Sequence, residues 1–558
     1  MGVRTDYDGS HLDYSYDSQG RVTSMNDYHG NTTSYLYASD GKLSTITAPG
    51  SKTWAFSYDG YDRLTRVDIP NGMHTEYAFD SEGRRTSITH KDGSTVKQSF
   101  DYAFTDGNAI TKITHGDGSL WEYEHDARKR LTRAERFDTD GTTLLHRYSY
   151  TYDAGDNLVT KAVLDNGTST TTTTVFAYNS ANEQTSMTVG GTTTTQAYDA
   201  WGRLTGRAQG GYSATYAFPP AADLRRYGDK LYSVTSDFPG EGDVTYEYGG
   251  DQKRRSRVAG ASETWYNYDM GWNVLSEEDD ADGATGALTA TNVLLTPGAE
   301  VSALLADIAG ASPASGAPRY YVTDHLGSTR GAYDASGAAA GTYEYSPYGG
   351  AYAVAGDALE TLSASFTGKP WDADSNLYHF PYRTYSPERA RWMTRDPLGM
   401  VDGPNVFTYV RANPVMFTDL LGNVSSDPGD LNWTNWLSYK YKTSEGLIQQ
   451  SRGCYLQGST VEIRQYRCLI QQEYWNAGFY QECYDECREW LAPDSLLGDI
   501  LEFIKGYGTL GFSTFVTHYT CRDFCRNEDA QYEYIYVYYQ CTGMDQGHRR
   551  KNCKAGRA

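Results

Sequence analysis

A seven-residue phrase returns in this chain at a fixed interval, and that interval limits the fold more than any other feature. Tyr16-Asp17-Ser18-Gln19-Gly20-Arg21-Val22 recurs as Tyr37-Ala38-Ser39-Asp40-Gly41-Lys42-Leu43, as Tyr58-Asp59-Gly60-Tyr61-Asp62-Arg63-Leu64 and as Phe79-Asp80-Ser81-Glu82-Gly83-Arg84, each copy 21 residues after the last. Looser copies start at Tyr102, His125, Tyr152, Tyr178, Tyr198, Tyr248 and Tyr268. The tyrosine ends a run of alternating side chains, as in Thr33-Ser34-Tyr35-Leu36-Tyr37. The aspartate and glycine behind it supply a side-chain hydrogen bond and a positive-φ position, which together make a turn. A second alternating run then leaves. One such unit is a β-hairpin, too small to be stable alone, so the units must stack in order.

Composition agrees with strands and hairpins. The 558 residues include 49 Tyr and 57 Gly against 17 Phe and 11 Trp. A mean hydropathy of -0.63 is low for a packed protein. Tyrosine resolves the conflict, because its ring is buried while its hydroxyl finds a polar partner. No apolar run nears the ~20 residues that span a bilayer, and Met1-Gly2-Val3-Arg4 opens no signal-peptide hydrophobic region. Because the first residues already read as repeat, the expectation is a longer parent protein.

Charge and cysteine divide the chain. The net charge is -22, yet Val424 to the end contributes only 17 acidic and 14 basic residues. The acidic body therefore excludes nucleic acid and anionic lipid as partners of its whole surface. All eight cysteines, Cys454, Cys468, Cys483, Cys487, Cys521, Cys525, Cys541 and Cys553, lie in the tail. There, apolar spacing through Leu447-Ile448, Leu469-Ile470, Leu496-Leu497 and Phe503-Ile504 predicts a small α-rich domain. Cys483/Cys487 and Cys521/Cys525, each at i and i+4, would lie on two helix faces ready for bridging. Disulfides are one reading for all eight. The rival is a zinc site at Cys483, Cys487, Cys521 and Cys525, although a three-residue gap is looser than the common two-residue knuckle. No other cofactor is expected, and no catalytic motif stands out in the tail.

The Tyr-Asp-x-x-Gly-Arg-Leu phrase resembles the YD repeats of Rhs proteins, toxin-complex C subunits and teneurins, over roughly residues 5–422. A denser set of matches follows the repeats: Asp324-His325-Leu326-Gly327-Ser328, Tyr345-Ser346-Pro347-Tyr348-Gly349, Phe366-Thr367-Gly368-Lys369, Leu377-Tyr378, Tyr382-Arg383, Arg395-Asp396-Pro397-Leu398-Gly399 and Asp419-Leu420-Leu421-Gly422. These resemble the Rhs repeat-associated core. His325 by itself reads as a packed or turn histidine.

The resemblance implies a mainly β fold: a spiral of antiparallel hairpins forming a hollow or half-open shell over 1–300, a core segment over 301–423 and a variable tail over 424–558. It also implies a shell that encapsulates and delivers its own tail, with secretion machinery or an immunity protein as further partners and a secreted or cell-surface location. Self-cleavage between Asn423 and Val424 would be carried out by two aspartates and an arginine. Matched to the family's motifs, these are Asp396, Arg395 and Asp372, with Asp374 the alternate for Asp372. Two close carboxylates cannot both ionise easily, which suits an acid and base pair. Two residues depart from the family pattern: Leu420 replaces the second motif's proline, and Asn423 stands where leucine is usual. The alternative is a non-enzymatic surface or adhesion protein with a disulfide-stapled binding module.

Overall fold

The structure is a computed structural model that describes residues 2–5, 11–105, 107–220, 229–279, 287–296, 299, 301–426, 452–457, 465–475 and 532–541. The chain divides into two units, Met1–Leu437 and Ser438–Ala558.

The first unit is built on a 31-stranded sheet whose strands pair antiparallel with their neighbours in sequence. The strands Ala287–Leu294 and Leu304–Ala309 pair within it on either side of residue 300, and it ends at Ala351–Gly356. Each repeat explains its own hairpin. At Asp59 the Oδ1 atom accepts the N–H groups of Tyr61 and Arg63 at 2.9 and 3.0 Å, while Oδ2 takes Nε of Arg63 at 2.7 Å. Asp17, Asp80, Asp126 and Asp199 repeat the arrangement with Arg21, Arg84, Arg130 and Arg203. The turn closes with Asp62 N–H on the carbonyl of Asp59, with Asp62 at φ 68°, and a bulge follows at Tyr58. This is a type I turn continued by a left-handed residue, where glycine is favoured. Gly20, Gly83 and Gly202 fill that position in sister repeats, at φ 77°, 84° and 77°.

The tyrosine and the arginine then join successive repeats. Tyr58 Oη donates to the carbonyl of Leu43 at 2.9 Å, and Tyr152 and Tyr178 do the same to Leu131 and Leu158 at 2.7 Å. Arg21 lies over the ring of Tyr37 at 4.4 Å, Arg63 over Phe79 at 4.6 Å and Arg130 over Tyr152 at 4.7 Å. Each motif residue thus has a partner in its own turn or the adjacent repeat, and a cation over a ring contributes about 0.5–1 kcal/mol at such half-exposed sites.

Winding brings distant repeats side by side. Tyr28 Oη donates to Tyr268 O at 3.1 Å, Asn71 Nδ2 to Asp334 O at 2.9 Å and Trp121 Nε1 to Glu344 Oε1 at 2.7 Å. Three apolar clusters form between these layers. One joins Leu12, Ile46 and Trp54 to Val293, Ile308 and Tyr320. Another joins Ile88, Phe100 and Tyr150 to Tyr385, Trp392 and Tyr409, and a third joins Leu204 and Tyr246 to Leu377 and Met393.

After Gly356 the chain makes a compact segment with four short antiparallel strands, Trp371–Asp372, Leu377–His379, Thr384–Ser386 and Arg391–Trp392. It seats on the repeat turns in reverse order. Arg391 Nη2 donates to Asn182 O at 2.6 Å, Asn405 Nδ2 to Asn157 Oδ1 at 2.7 Å and Asn413 Nδ2 to Lys129 O at 2.7 Å. Apart from short 3₁₀ turns, the described part of this unit is strand and irregular chain.

In the second unit the described residues are three antiparallel strands, Arg452–Gln457, Gln465–Trp475 and Tyr532–Cys541. A strand therefore stands where the Leu469-Ile470 spacing predicted helix. The aromatic and β-branched run Tyr534-Ile535-Tyr536-Val537-Tyr538 favours a pleated surface in the same way. Cys454 and Cys468 face each other in the strand register, and Cys541 ends the third strand. The side chains of these three lie outside the description, as do Cys483, Cys487, Cys521, Cys525 and Cys553 altogether. Among the described residues no helix is long and apolar enough to cross a membrane.

Candidate functional site

The chain approaching Asn423 runs past the four short strands of the core segment, and Arg383 organises the meeting. Arg383 precedes the strand Thr384–Ser386, and its guanidinium stacks over Trp392 at 4.1 Å. One nitrogen, Nη2, serves two carboxylates: Asp396 Oδ2 at 2.8 Å and Asp419 Oδ2 at 3.1 Å. Nε donates to the carbonyl of Gly422, and Nη1 to that of Val406 at 3.3 Å. All three side chains are at most 4% exposed.

The backbone is held in the same place. Asp419 Oδ1 accepts the N–H groups of Gly422 at 2.7 Å and Asn423 at 2.9 Å, while Tyr382 N–H donates to Leu421 O at 2.8 Å. Gly422 turns the chain at φ 80°, with Phe380 and Arg383 against the place a β-carbon would fill. The second motif thus forms its turn through the Asp419 side chain, with Leu420 in place of proline.

Burial decides the charge. Desolvation pushes Asp396 up to about 6, against the pull of Arg383 and the Leu398 N–H, and the Asp419 carboxylate adds to the rise. Arg383 is itself pushed below its ordinary value by burial, opposed by Asp419 and Asp396. Two carboxylates that share one positive charge, with one of them poised to keep its proton, can act as an acid and base pair.

Of the expected residues, Asp396 stands in this cluster and the others stand elsewhere. Asp372 is bound by Arg257 at 2.8 and 3.1 Å and accepts Tyr246 Oη at 2.8 Å. Burial acts to raise its pKa, but Arg257, with help from His379 and Arg254, holds it well below the usual carboxylate range. It is a locked anion that ties the core segment to the sheet. Asp374 pairs with the same Arg257 and is 40% exposed. Arg395 is 42% exposed and reaches Glu183 at 3.1 Å, with its side chain lying against Gly202. The arginine and aspartate that join Asp396 are Arg383 and Asp419. His325 is packed, with Nε2 at 2.8 Å from Val415 O.

Similarity to known proteins agrees with the repeat and with the β fold. The Teneurin YD-shell family profile matches residues 4–132. Toxin subunit YenC2 of Yersinia entomophaga is 40% identical over 105 residues, 18% of this chain and 11% of that subunit. Toxin protein Tse5 of Pseudomonas aeruginosa is 40% identical over 57 residues, 10% of this chain and 4% of Tse5. The matched stretches are thus a small part of these relatives. The crystal structure of TcdB2-TccC3 superposes with a TM-score of 0.59 at 20% identity, covering 74% of this chain and 22% of the other. That likeness is one of fold, and it extends well past the profile match. Sequence and fold agree: residues 4–132 match the YD-shell family, and the chain is similar to Rhs-type YD-repeat toxin subunits in stretches of sequence and in its β-shell fold.

Proposed function

We propose that the residues up to Asn423 form a shell that encloses and delivers the tail from Val424 onward as an effector, and that the chain frees this tail by cutting itself between Asn423 and Val424. The observation that carries the reading is the single guanidinium of Arg383, which holds Asp396, Asp419 and the Gly422 carbonyl at once. In the cut, Asp419 takes a proton from water, whose oxygen attacks the Asn423 carbonyl carbon. Arg383, one peptide away, stabilises the oxyanion that develops. Asp396, poised near neutrality by burial, gives its proton to the leaving nitrogen of Val424. The toxin relatives, including YenC2 and Tse5, support an effector as cargo.

Intact-mass analysis of the purified full chain tests this. The expected result is two fragments, 1–423 and 424–558, that remain associated, and one uncut species for Asp396→Asn and for Asp419→Asn. A wild-type chain that stays whole through long incubation at acid and neutral pH refutes self-cleavage.

A further inference from the structure

The strand that would be cut is held on both sides of the Asn423–Val424 bond, and the downstream hold belongs to a residue outside the cluster described above. Upstream, Leu421, Gly422 and Asn423 are gripped by Tyr382, Arg383 and Asp419. Downstream, Asp402 Oδ2 accepts the N–H of Ser425 at 2.6 Å. Beyond it, Thr418 and Ser426 form an antiparallel bridge with N–H···O distances of 2.9 and 2.7 Å. Val424, between the two grips, is 37% exposed.

Asp402 is itself held in place. Arg411 Nη2 lies 3.2 Å from its Oδ1. Arg411 projects from the 3₁₀ turn Val410–Ala412, in which three consecutive non-glycine residues are left-handed, with φ 41°, 56° and 59°. L residues avoid this conformation, and it persists only where the surroundings impose it. Here Val410 is buried, Tyr348 Oη donates to Ala412 O at 3.3 Å and the Asn413 side chain is tied to Lys129 O. A strained, well-anchored turn thus presents the cation that orients Asp402. Asp402 also bears on the charges of Arg383 and Asp396, so it stands within the electrostatic field of the cluster.

We infer that Asp402 is a positioning residue for the leaving side of the cut and that its carboxylate then retains the ammonium freed at Val424; this rests on cleavage at Asn423–Val424. Hydrolysis places the water hydroxyl on the Asn423 carbon and a proton on the Val424 nitrogen, which becomes an α-amine and takes a second proton at neutral pH. That nitrogen is one residue from the Ser425 N–H, on a chain whose consecutive Cα atoms are about 3.8 Å apart. The carboxylate that steadies the strand before the cut is therefore in place to pair with the new amino terminus after it. The tail is cut and still held.

The test uses the full chain with Asp402→Ala and Asp402→Glu, each also in the uncut Asp396→Asn background. Expected first is slower appearance of the 424–558 fragment in Asp402→Ala, by about tenfold or more, with recovery in Asp402→Glu. Expected second is a Val424 α-amine that labels several-fold more slowly at neutral pH in the wild type than in Asp402→Ala, since a paired carboxylate favours the ammonium. A brace that merely stabilised the fold would leave that difference at zero. In the uncut background, hydrogen exchange at Ser425 should speed up at least about tenfold when Asp402 is alanine, given loss of a charge-assisted bond. Wild-type cleavage rate together with unchanged labelling in Asp402→Ala overturns the inference, as does unchanged exchange at Ser425. A wild type that never cuts, with Ser425 exchange still dependent on Asp402, overturns the cleavage reading and the leaving-side role and leaves only a clamp.

Discussion

Aspartate meets arginine both in the wall of repeats and in the core segment, and the two settings charge the carboxyl group in opposite directions. In the wall, Asp59 has one arginine to itself and two backbone N–H donors, and its side chain is 22% exposed. Burial acts to raise its pKa, and Arg63 and the N–H groups outweigh it, so the carboxyl sits below its ordinary value. In the core, Asp396 shares Arg383 with Asp419 in nearly complete burial and is pushed up to about 6. The residue types are the same. What differs is the number of cations per carboxylate and the access of water. The wall uses the pair to close a turn, and the core uses it to keep a proton available.

The largest test of this difference is to remove the cation in each place. Arg383→Met leaves two buried carboxylates without compensation. It should abolish cleavage and cost roughly 3–5 kcal/mol of stability, whereas Arg63→Met should cost about 1 kcal/mol. Chemical denaturation beside a cleavage gel measures both. Equal costs in the two places would break the comparison.

Next is Asp372, a buried carboxylate with a guanidinium of its own. Asp372→Asn should destabilise by about 3 kcal/mol, because Arg257 loses its buried partner, while cleavage continues at the wild-type rate. Loss of cleavage with stability intact would return Asp372 to the chemistry and remove Asp419 from it.

The pH response separates the settings more finely. A rate that needs protonated Asp396 should fall as pH rises through about 6, by about tenfold per unit above it. Stability should carry the two signs at once. A depressed wall carboxylate contributes stability above its ordinary pKa of about 4, lost as pH falls through the acid range. The raised Asp396 does the reverse, and its penalty grows as pH rises from about 4 toward 6. A cleavage rate flat across that window would deny Asp396 the role of acid.

The smallest effect lies in the turns. Lys129 holds a φ of 64° where sister repeats have glycine, so Lys129→Gly should stabilise by about 0.5–1 kcal/mol. Gly83→Ala, at φ 84° with open space around it, should cost a similar amount. Melting temperatures of the two variants should move in opposite directions.

How much of this could be read in advance depended on distance along the chain. The repeat was legible because its bonds are local: Asp59 answers to Tyr61 and Arg63, and the 21-residue spacing carries the rest. Asp396 was legible as part of a motif. Arg395 adjoins Asp396 in the motif, yet neighbours on an extended chain point apart. The arginine beside Asp396 is Arg383, which the fold brings in from just before the strand Thr384–Ser386; Asp419, the first residue of the second motif, was the signal for the second carboxylate. The lock on Asp372 could not be read from the motif, because Arg257 lies 115 residues away and follows no local rule. In the tail, helical spacing of Leu469 and Ile470 competed with alternation in the same stretch, and short apolar runs do not distinguish the two.

The link from each arginine to the next repeat's ring has a mechanical consequence. Pulled from its amino-terminal end, a wall built this way should peel like a zip, one hairpin at a time. Each step would release about 21 residues, on the order of 70 Å of contour, because each hairpin pairs in order with the next. The peel should meet a catch wherever a distant repeat lies alongside, at Tyr28, Asn71 and Trp121, and the core segment adds pins near Lys129, Asn157 and Asn182. In a shell of this build, load is met in steps, and the core segment acts as the stop.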